Sequence, residues 1–239
     1  MAASEIIFIR HGQASFGSDD YDRLSPTGVR QSQVTADHLV SHGIDFDAVV
    51  CGRMKRQADT ALPLCRHYGA SRPDCASPTV MEAFNEYSSE AIVTARLQAD
   101  PKSWPLAEGH RPASPADKKA FQAFFSETVN QWLAGVFDDH PAVEPWPAFC
   151  RRVTEGVGQL IARHGRGKRL AVFTSGGPIM VVVREALGLS GPKTVEIGWQ
   201  IMNASLTSIR YTDDRLILTA FNTTTHLLIE KDPALLTYR

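Results

Sequence analysis

The chain has 239 residues, 43% of them hydrophobic and 21% charged, which is the composition of a globular protein with room for one large α/β core. Its 25 basic and 26 acidic residues leave a formal net charge of -1, so nothing global steers it toward nucleic acid or an anionic membrane, and any anion selectivity must be local. Cys51, Cys65, Cys75 and Cys150 have neither Cys-x-x-Cys spacing nor disulfide-rich density, no apolar run reaches transmembrane length, and the first five residues lack a basic region before an apolar stretch, so a reduced cytoplasmic protein is expected.

The first predicted element is a strand, Glu5 to Ile9, that runs directly into Arg10-His11-Gly12-Gln13. A polar loop over Ser15 to Ser25 follows, then a helix from Thr27 to His42 closed by Gly43 in the position beyond a C-terminus. Ala48 to Cys51 reads as a second strand. Met54, Ala58, Ala61, Leu62, Cys65 and Tyr68 recur at helical spacing, giving a helix with Arg56 in its first turn that ends near Gly69. A third strand around Thr79 to Met81 leads into Glu82-Ala83-Phe84-Asn85-Glu86.

From Asp100 to Pro147 the alternation breaks, and this Pro- and charge-rich stretch reads as an inserted cap. It is built around one long amphipathic helix with Phe121, Phe124, Phe125, Val129, Trp132 and Val136 on the inner side. Phe149, Val153, Val157, Leu160, Ile161 and His164 form another helical stripe, Gly165 to Lys168 a turn, and Leu170 to Thr174 a buried strand. Pro178 is expected at the first position of the next helix. Ala204 to Tyr211 and Leu216 to Phe221, separated by Asp213-Asp214, read as a hairpin.

The chemistry-bearing residues gather at predicted strand ends. Open α/β sheets place ligands at that edge, and Arg10 and Arg56 there suit a phosphoryl group, as do backbone amides at helix starts. On the residues alone, Arg-His-Gly is compatible with an ordinary turn, and Arg56 beside Arg53 and Lys55 with a solvated helix face. Gln13, Ser15 and Gln31 are candidate pocket hydrogen-bonders whose commoner use is to satisfy local backbone.

In order and spacing, Arg10-His11-Gly12, Leu24-Ser25-Pro26-Thr27-Gly28-Val29-Arg30-Gln31, Arg56 with Thr60, Phe84-Asn85-Glu86 and Thr174-Ser175-Gly176-Gly177 resemble the histidine phosphatase superfamily, the phosphoglycerate mutase-like phosphatases. The match runs from about Ile6 to about Leu228. The resemblance implies a three-layer α/β/α sandwich with a mainly parallel sheet, here one domain over 1–239 with a cap insertion at about 100–147. It implies hydrolysis of phosphomonoesters through phospho-His11, with Glu86 as proton donor and Glu82 as competitor for that role. Arg10, Arg56, Ser175, Gly176 and Gln13 would bind the phosphoryl group, without metal or other cofactor. The expected ligand is a small phosphorylated substrate, not nucleic acid or membrane, and a homodimer stays open.

There is one departure at the site. The family usually has Ser-His-Gly-Gly after the late strand, and this chain has Ser175 where the imidazole would stand. The expectation is that phosphate binding survives while transition-state stabilisation suffers, with His226 either compensating from the C-terminal loop or bonding the chain end. A non-catalytic phosphoryl-ligand binding protein therefore stays open as the alternative. A serine hydrolase fits poorly, because the Gly-x-Ser-x-Gly elbow lacks its first glycine, and a nicotinamide enzyme would need Gly-x-Gly-x-x-Gly after the first strand. Mutases of the family carry a Tyr-Gly-x-Leu-x-Gly-x-Asn-Lys-like segment after the acid; Tyr87-Ser88-Ser89-Glu90-Ala91 departs from it, favouring hydrolysis over transfer.

Overall fold

The computed structural model describes residues 4–15, 22–72, 75–105 and 114–238. Positions 16–21 of the predicted polar loop and 106–113 of the predicted insertion lie outside the described residues. In chain order the strands are β1 (Glu5–Arg10), β2 (Ala48–Cys51), β3 (Thr79–Val80), β4 (Arg169–Thr174), β5 (Leu206–Tyr211) and β6 (Leu216–Thr223). They form one sheet in the order β3-β2-β4-β1-β5-β6. β3, β2, β4 and β1 pair in parallel, while β5 runs antiparallel to β1 and forms the expected hairpin with β6. The fold is α/β with a mainly parallel sheet.

Strands β1, β2 and β4 are buried on both faces, which explains why they read as unbroken apolar runs. One face carries Ile7, Ile9, Val49, Cys51, Ala171 and Phe173, packed with Ala36 and Leu39 of α1 (Pro26–Ser41) and Ala61 and Leu64 of α2 (Lys55–Tyr68). The intervening residues Ile6, Phe8, Val50, Leu170 and Val172 are equally buried on the other face, where Phe8 meets Phe84 edge-on with ring centroids 6.1 Å apart. All four cysteines are buried free thiols, and burial pushes Cys51 up to about 11 and Cys65 to about 12, so neither is a ready nucleophile.

The described chain divides into two compact units, Met1–Glu86 with Arg152–Arg239, and Tyr87–Arg151. The second contains α3 (Ser89–Ala99) and α4 (Pro115–Leu133). Ser114 and Asp117 open α4 with reciprocal side-chain to backbone bonds of 3.1 and 3.0 Å. Trp132 is fully buried there, with Tyr87, Trp146 and Phe149 around it and its indole N–H on the Glu144 carbonyl at 2.7 Å. Val136, expected on the inner face of the long helix, is instead 60% exposed, because the helix stops at Leu133 and Gly135 adopts φ 78°, taking Val136 off the periodic stripe.

Helix α5 (Trp146–His164) buries Phe149, Val153, Val157 and Leu160 as expected. The helix after β4, α6 (Gly176–Leu187), starts two residues earlier than expected, so Pro178 sits at its third position. Proline is tolerated there because the first four helical N–H groups have no intrahelical acceptor. Helices α7 (Gly191–Gly198) and α8 (Thr225–Leu228) are the remaining α-helices among the described residues. Among the described residues no helix is long and apolar enough to cross a membrane.

Candidate active site

β1 and β4 are adjacent and in parallel register, with Arg10 opposite Thr174, so both strands deliver their last residues to one edge. The His11 N–H donates to the Thr174 carbonyl at 2.8 Å, placing the imidazole immediately beyond that edge. The turn that follows exists only with glycine. A Cβ on Gly12 would lie 2.5 Å from the Gly28 carbonyl oxygen, and one on Gly28 would lie 2.1 Å from that of Gln13. The Leu-Ser-x-x-Gly-x-x-Gln segment is thus a clamp on the histidine turn: Ser25 caps α1 by accepting from Gly28 N–H at 3.0 Å, and Gln31 Oε1 accepts from Gln13 N–H at 2.7 Å.

The imidazole of His11 is 5% exposed and its two nitrogens have distinct neighbours. Nδ1 is 2.7 Å from the Gly12 carbonyl oxygen, and Nε2 is 3.1 Å from Nε of Arg56. A carbonyl only accepts and a guanidinium only donates. The proton therefore sits on Nδ1 and the lone pair on Nε2, in a neutral ring. Burial is the main cause that holds the His11 pKa well below the usual histidine value, with Arg56 and then Arg10 adding repulsion and the Gly12 carbonyl opposing them.

Arg56 is itself fixed at a second point, its Nη1 donating to Asp22 Oδ1 at 2.8 Å. Thr60, one turn further along α2, donates to the Arg56 carbonyl at 2.6 Å and accepts from Gly12 N–H at 3.0 Å, which ties α2 to the histidine turn. Arg10 donates through Nη1 to the Ile201 carbonyl, and its Nε lies 4.0 Å from where a Cβ on Gly176 would stand. Glu86 Oε2 accepts from Gly177 N–H at 3.0 Å, so the acid occupies the positive end of α6. Glu82 goes elsewhere: it is 65% exposed and pairs with Arg53 at 2.8 Å.

Ser175 is fully buried at the N-cap of α6 but makes no side-chain cap bond. Its Oγ accepts from Gln57 Nε2 at 2.8 Å, and the same amide group lies 3.2 Å from the Phe84 carbonyl oxygen. Gln57 was not among the sequence candidates, nor was Arg152, whose Nη1 donates to the carbonyls of Glu82, Ala83 and Asn85 and so holds the loop that ends in Glu86. Gln13 uses its side-chain oxygen to accept from Ser25 Oγ at 2.8 Å. Gln31 also donates to the Leu235 carbonyl and to Thr237, a framework use in line with its common role.

His226 is linked to the histidine turn through the backbone of Ala204. Its Nε2 donates to the Ala204 carbonyl and faces Thr35 Oγ1, both at 3.1 Å, while Ala204 N–H donates to the carbonyls of Arg10 and His11. Ala204 has φ 55°, in the left-handed region, and the imidazole secures that turn. Burial, then repulsion from His38, lowers the His226 pKa to about 4, with the Ala204 bond opposing them. The unfolded chain therefore binds the extra proton first as pH falls below about 6.5, and stability drops until about 4. At pH 5 the loss from this one group is about 2 kcal/mol. We expect His226→Gln, which keeps an N–H donor but does not titrate, to lose less stability between pH 7.5 and 5 in urea unfolding; an identical loss would remove His226 from this role.

A family profile described as histidine phosphatase superfamily (branch 1) matches residues 6–224. None of the curated proteins matches the sequence. Among solved structures, the chain is similar to a phosphoserine phosphatase mutant from Entamoeba histolytica in complex with phosphoserine, with 18% identity, a TM-score of 0.64, and 94% of this chain and 99% of that one covered. It is similar to a phosphoglycerate mutase from Bacillus anthracis at 15% identity, TM-score 0.64, covering 97% and 98%. A mycobacterial glucosyl-3-phosphoglycerate phosphatase in complex with VO3 aligns at 18% identity, TM-score 0.61, covering 93% and 100%.

Proposed function

Because the chain belongs to branch 1 of the histidine phosphatase superfamily, we propose that it is a phosphomonoester hydrolase working through phospho-His11. The observation that carries this reading is the lone pair of His11 Nε2, fixed by the Nδ1 bond to Gly12 and set 3.1 Å from an arginine. In the first step Nε2 attacks phosphorus, the P–O ester bond breaks, and Glu86 gives its proton to the departing alcohol oxygen. In the second, Glu86 takes a proton from water, the hydroxide oxygen bonds to phosphorus, and the P–N bond breaks to release phosphate and restore His11. Arg10 and Arg56 supply positive charge where negative charge gathers on the phosphoryl oxygens. The α6 N-terminus with Gly176 and Ser175 is the remaining phosphate-side surface, and Gln13 the outer hydrogen-bonder.

The substrate class is a small phosphorylated metabolite, in keeping with the phosphoserine and VO3 held by similar structures. The reading takes the protein as one cytoplasmic phosphoglycerate mutase-like domain over 1–239 with an insertion at about 100–147. It assigns every chemical step to side chains of this chain and none to a metal. Turnover of an aryl phosphate should therefore be unchanged by EDTA; loss of activity on chelation, restored by a divalent cation, would contradict it. A protein that binds inorganic phosphate but turns over no phosphoester would instead be the binding-protein alternative.

A further inference from the structure

We propose that Asp22 is a positioning residue for the reaction above: it anchors one end of the Arg56 guanidinium while the other end passes from His11 to the phosphoryl group. Asp22 lies ahead of α2 and grips its start in two ways. Its Oδ2 accepts from Lys55 N–H at 2.7 Å and its Oδ1 from Arg56 N–H at 3.4 Å, so the carboxylate caps the helix. Oδ1 also accepts from Arg56 Nη1 at 2.8 Å, so the same carboxylate holds the side chain that the capped turn carries.

The far side of that guanidinium covers the nucleophile. Nε of Arg56 donates to the lone pair of His11 Nε2, the pair that must attack phosphorus. That bond engages the lone pair, and it has to break before a P–N bond forms. When it does, the nearest acceptors for Nε–H are the phosphoryl oxygens, which arrive bonded to the phosphorus that Nε2 engages. At that moment the bond from Nη1 to Asp22 is the hold that stays in place on the opposite end. A guanidinium held at Nη1 turns about a fixed point, and its planar fork stays aimed at the same place. The arginine side chain is 9% exposed and the aspartate 40%, so the anchor sits toward solvent and the exchanging edge inward.

A rival role for Asp22 predicts the opposite sign. If the carboxylate acted only as a counter-charge to Arg56, it would repel an incoming dianion, and neutralising it would tighten phosphate binding and raise turnover. The proposal rests on the phosphatase reading, so two assays are paired, one of which does not need turnover. Asp22→Asn keeps an oxygen for the Lys55 N–H but replaces the ion pair. In this variant kcat on an aryl phosphate should fall about tenfold, with a melting temperature close to that of the wild type. Binding of inorganic phosphate, measured by calorimetry, should weaken about threefold. Asp22→Ala should show the same fall in kcat and also a lower melting temperature, because the cap is lost. Unchanged or tighter phosphate binding in Asp22→Asn would overturn the proposal. So would an unchanged kcat, or a fall in kcat seen only where the melting temperature falls with it. If the wild type shows no turnover, the phosphatase reading fails and the calorimetric comparison alone decides the role of Asp22.

Discussion

Replacing His11 with alanine is expected to reduce turnover by about 10⁴-fold or more, because on the proposed mechanism the substitution deletes the nucleophile and leaves only the positioning groups. Phosphate binding should change far less, by about 1 kcal/mol or under, since Arg56 loses one hydrogen-bond partner and Arg10 keeps its contacts. This split between kcat and phosphate affinity separates a nucleophile from a residue that merely packs the turn. The pH profile adds a second signature. A pKa well below the ordinary value keeps the ring neutral as pH falls through 6.5, so wild-type kcat/KM should not decline there as it would for an unperturbed histidine. A wild-type decline centred near pH 6.5 would contradict the electrostatic account of this pocket.

Glu86→Gln should produce the next largest effect, and its size should depend on the leaving group. A poor leaving group such as an alkoxide needs a proton as the P–O bond breaks, and loss of a general acid costs about 10²- to 10⁴-fold. A nitrophenolate needs little help. With an alkyl phosphate kcat should therefore collapse, while with p-nitrophenyl phosphate the first step should persist and the second, which uses Glu86 as base on the proposed mechanism, should become slow. The visible result is a burst of nitrophenol equal to the enzyme concentration, followed by a slow steady state. Glutamine retains an oxygen for the Gly177 N–H, so the α6 end should stay capped. Equal losses on both substrates, with no burst, would mean that Glu86 acts through structure alone. Glu82→Gln, on the exposed pair with Arg53, serves as the comparison and should leave both substrates nearly unaffected.

The parts of this arrangement that sequence reveals are those set by neighbours along the chain. β1 and β4 are apolar runs because both faces are buried, and the residues just past them are fixed by where those runs stop. The Ser25, Gly28 and Gln31 spacing is legible because a cap, a close approach and a turn clamp each demand one residue type at one position. Helix α3 is less legible: it buries only Ile92, Ala95 and Arg96, too narrow a stripe to stand out. Helix α7 is eight residues long and buries two of them, Thr194 and Val195.

What sequence conceals is pairing across the fold. Asp22 meets Arg56 34 positions later, Gln57 meets Ser175 across 118, and Arg152 reaches back 67 to Asn85. None of these residues stands in a pattern that announces its partner, since an aspartate in a polar loop and a glutamine in a helix are ordinary. Ser175 illustrates the consequence. Read from sequence, it is a shortened stand-in facing the phosphoryl group with backbone amides behind it. In the fold its hydroxyl oxygen is taken by Gln57, and the amide at Gly177 is taken by Glu86. A longer side chain at position 175 would have to displace Gln57.

The most direct test of the central claim is to find where the phosphoryl group goes. Wild-type protein mixed with p-nitrophenyl phosphate, quenched within milliseconds and kept alkaline, should carry an acid-labile, alkali-stable adduct on the peptide that contains His11. Nitrogen-15 labelling should place the phosphorus on Nε2, because Nδ1 holds its proton against the Gly12 carbonyl. An alkali-labile adduct on Ser175, an adduct on Nδ1, or full turnover in His11→Ala would contradict the account.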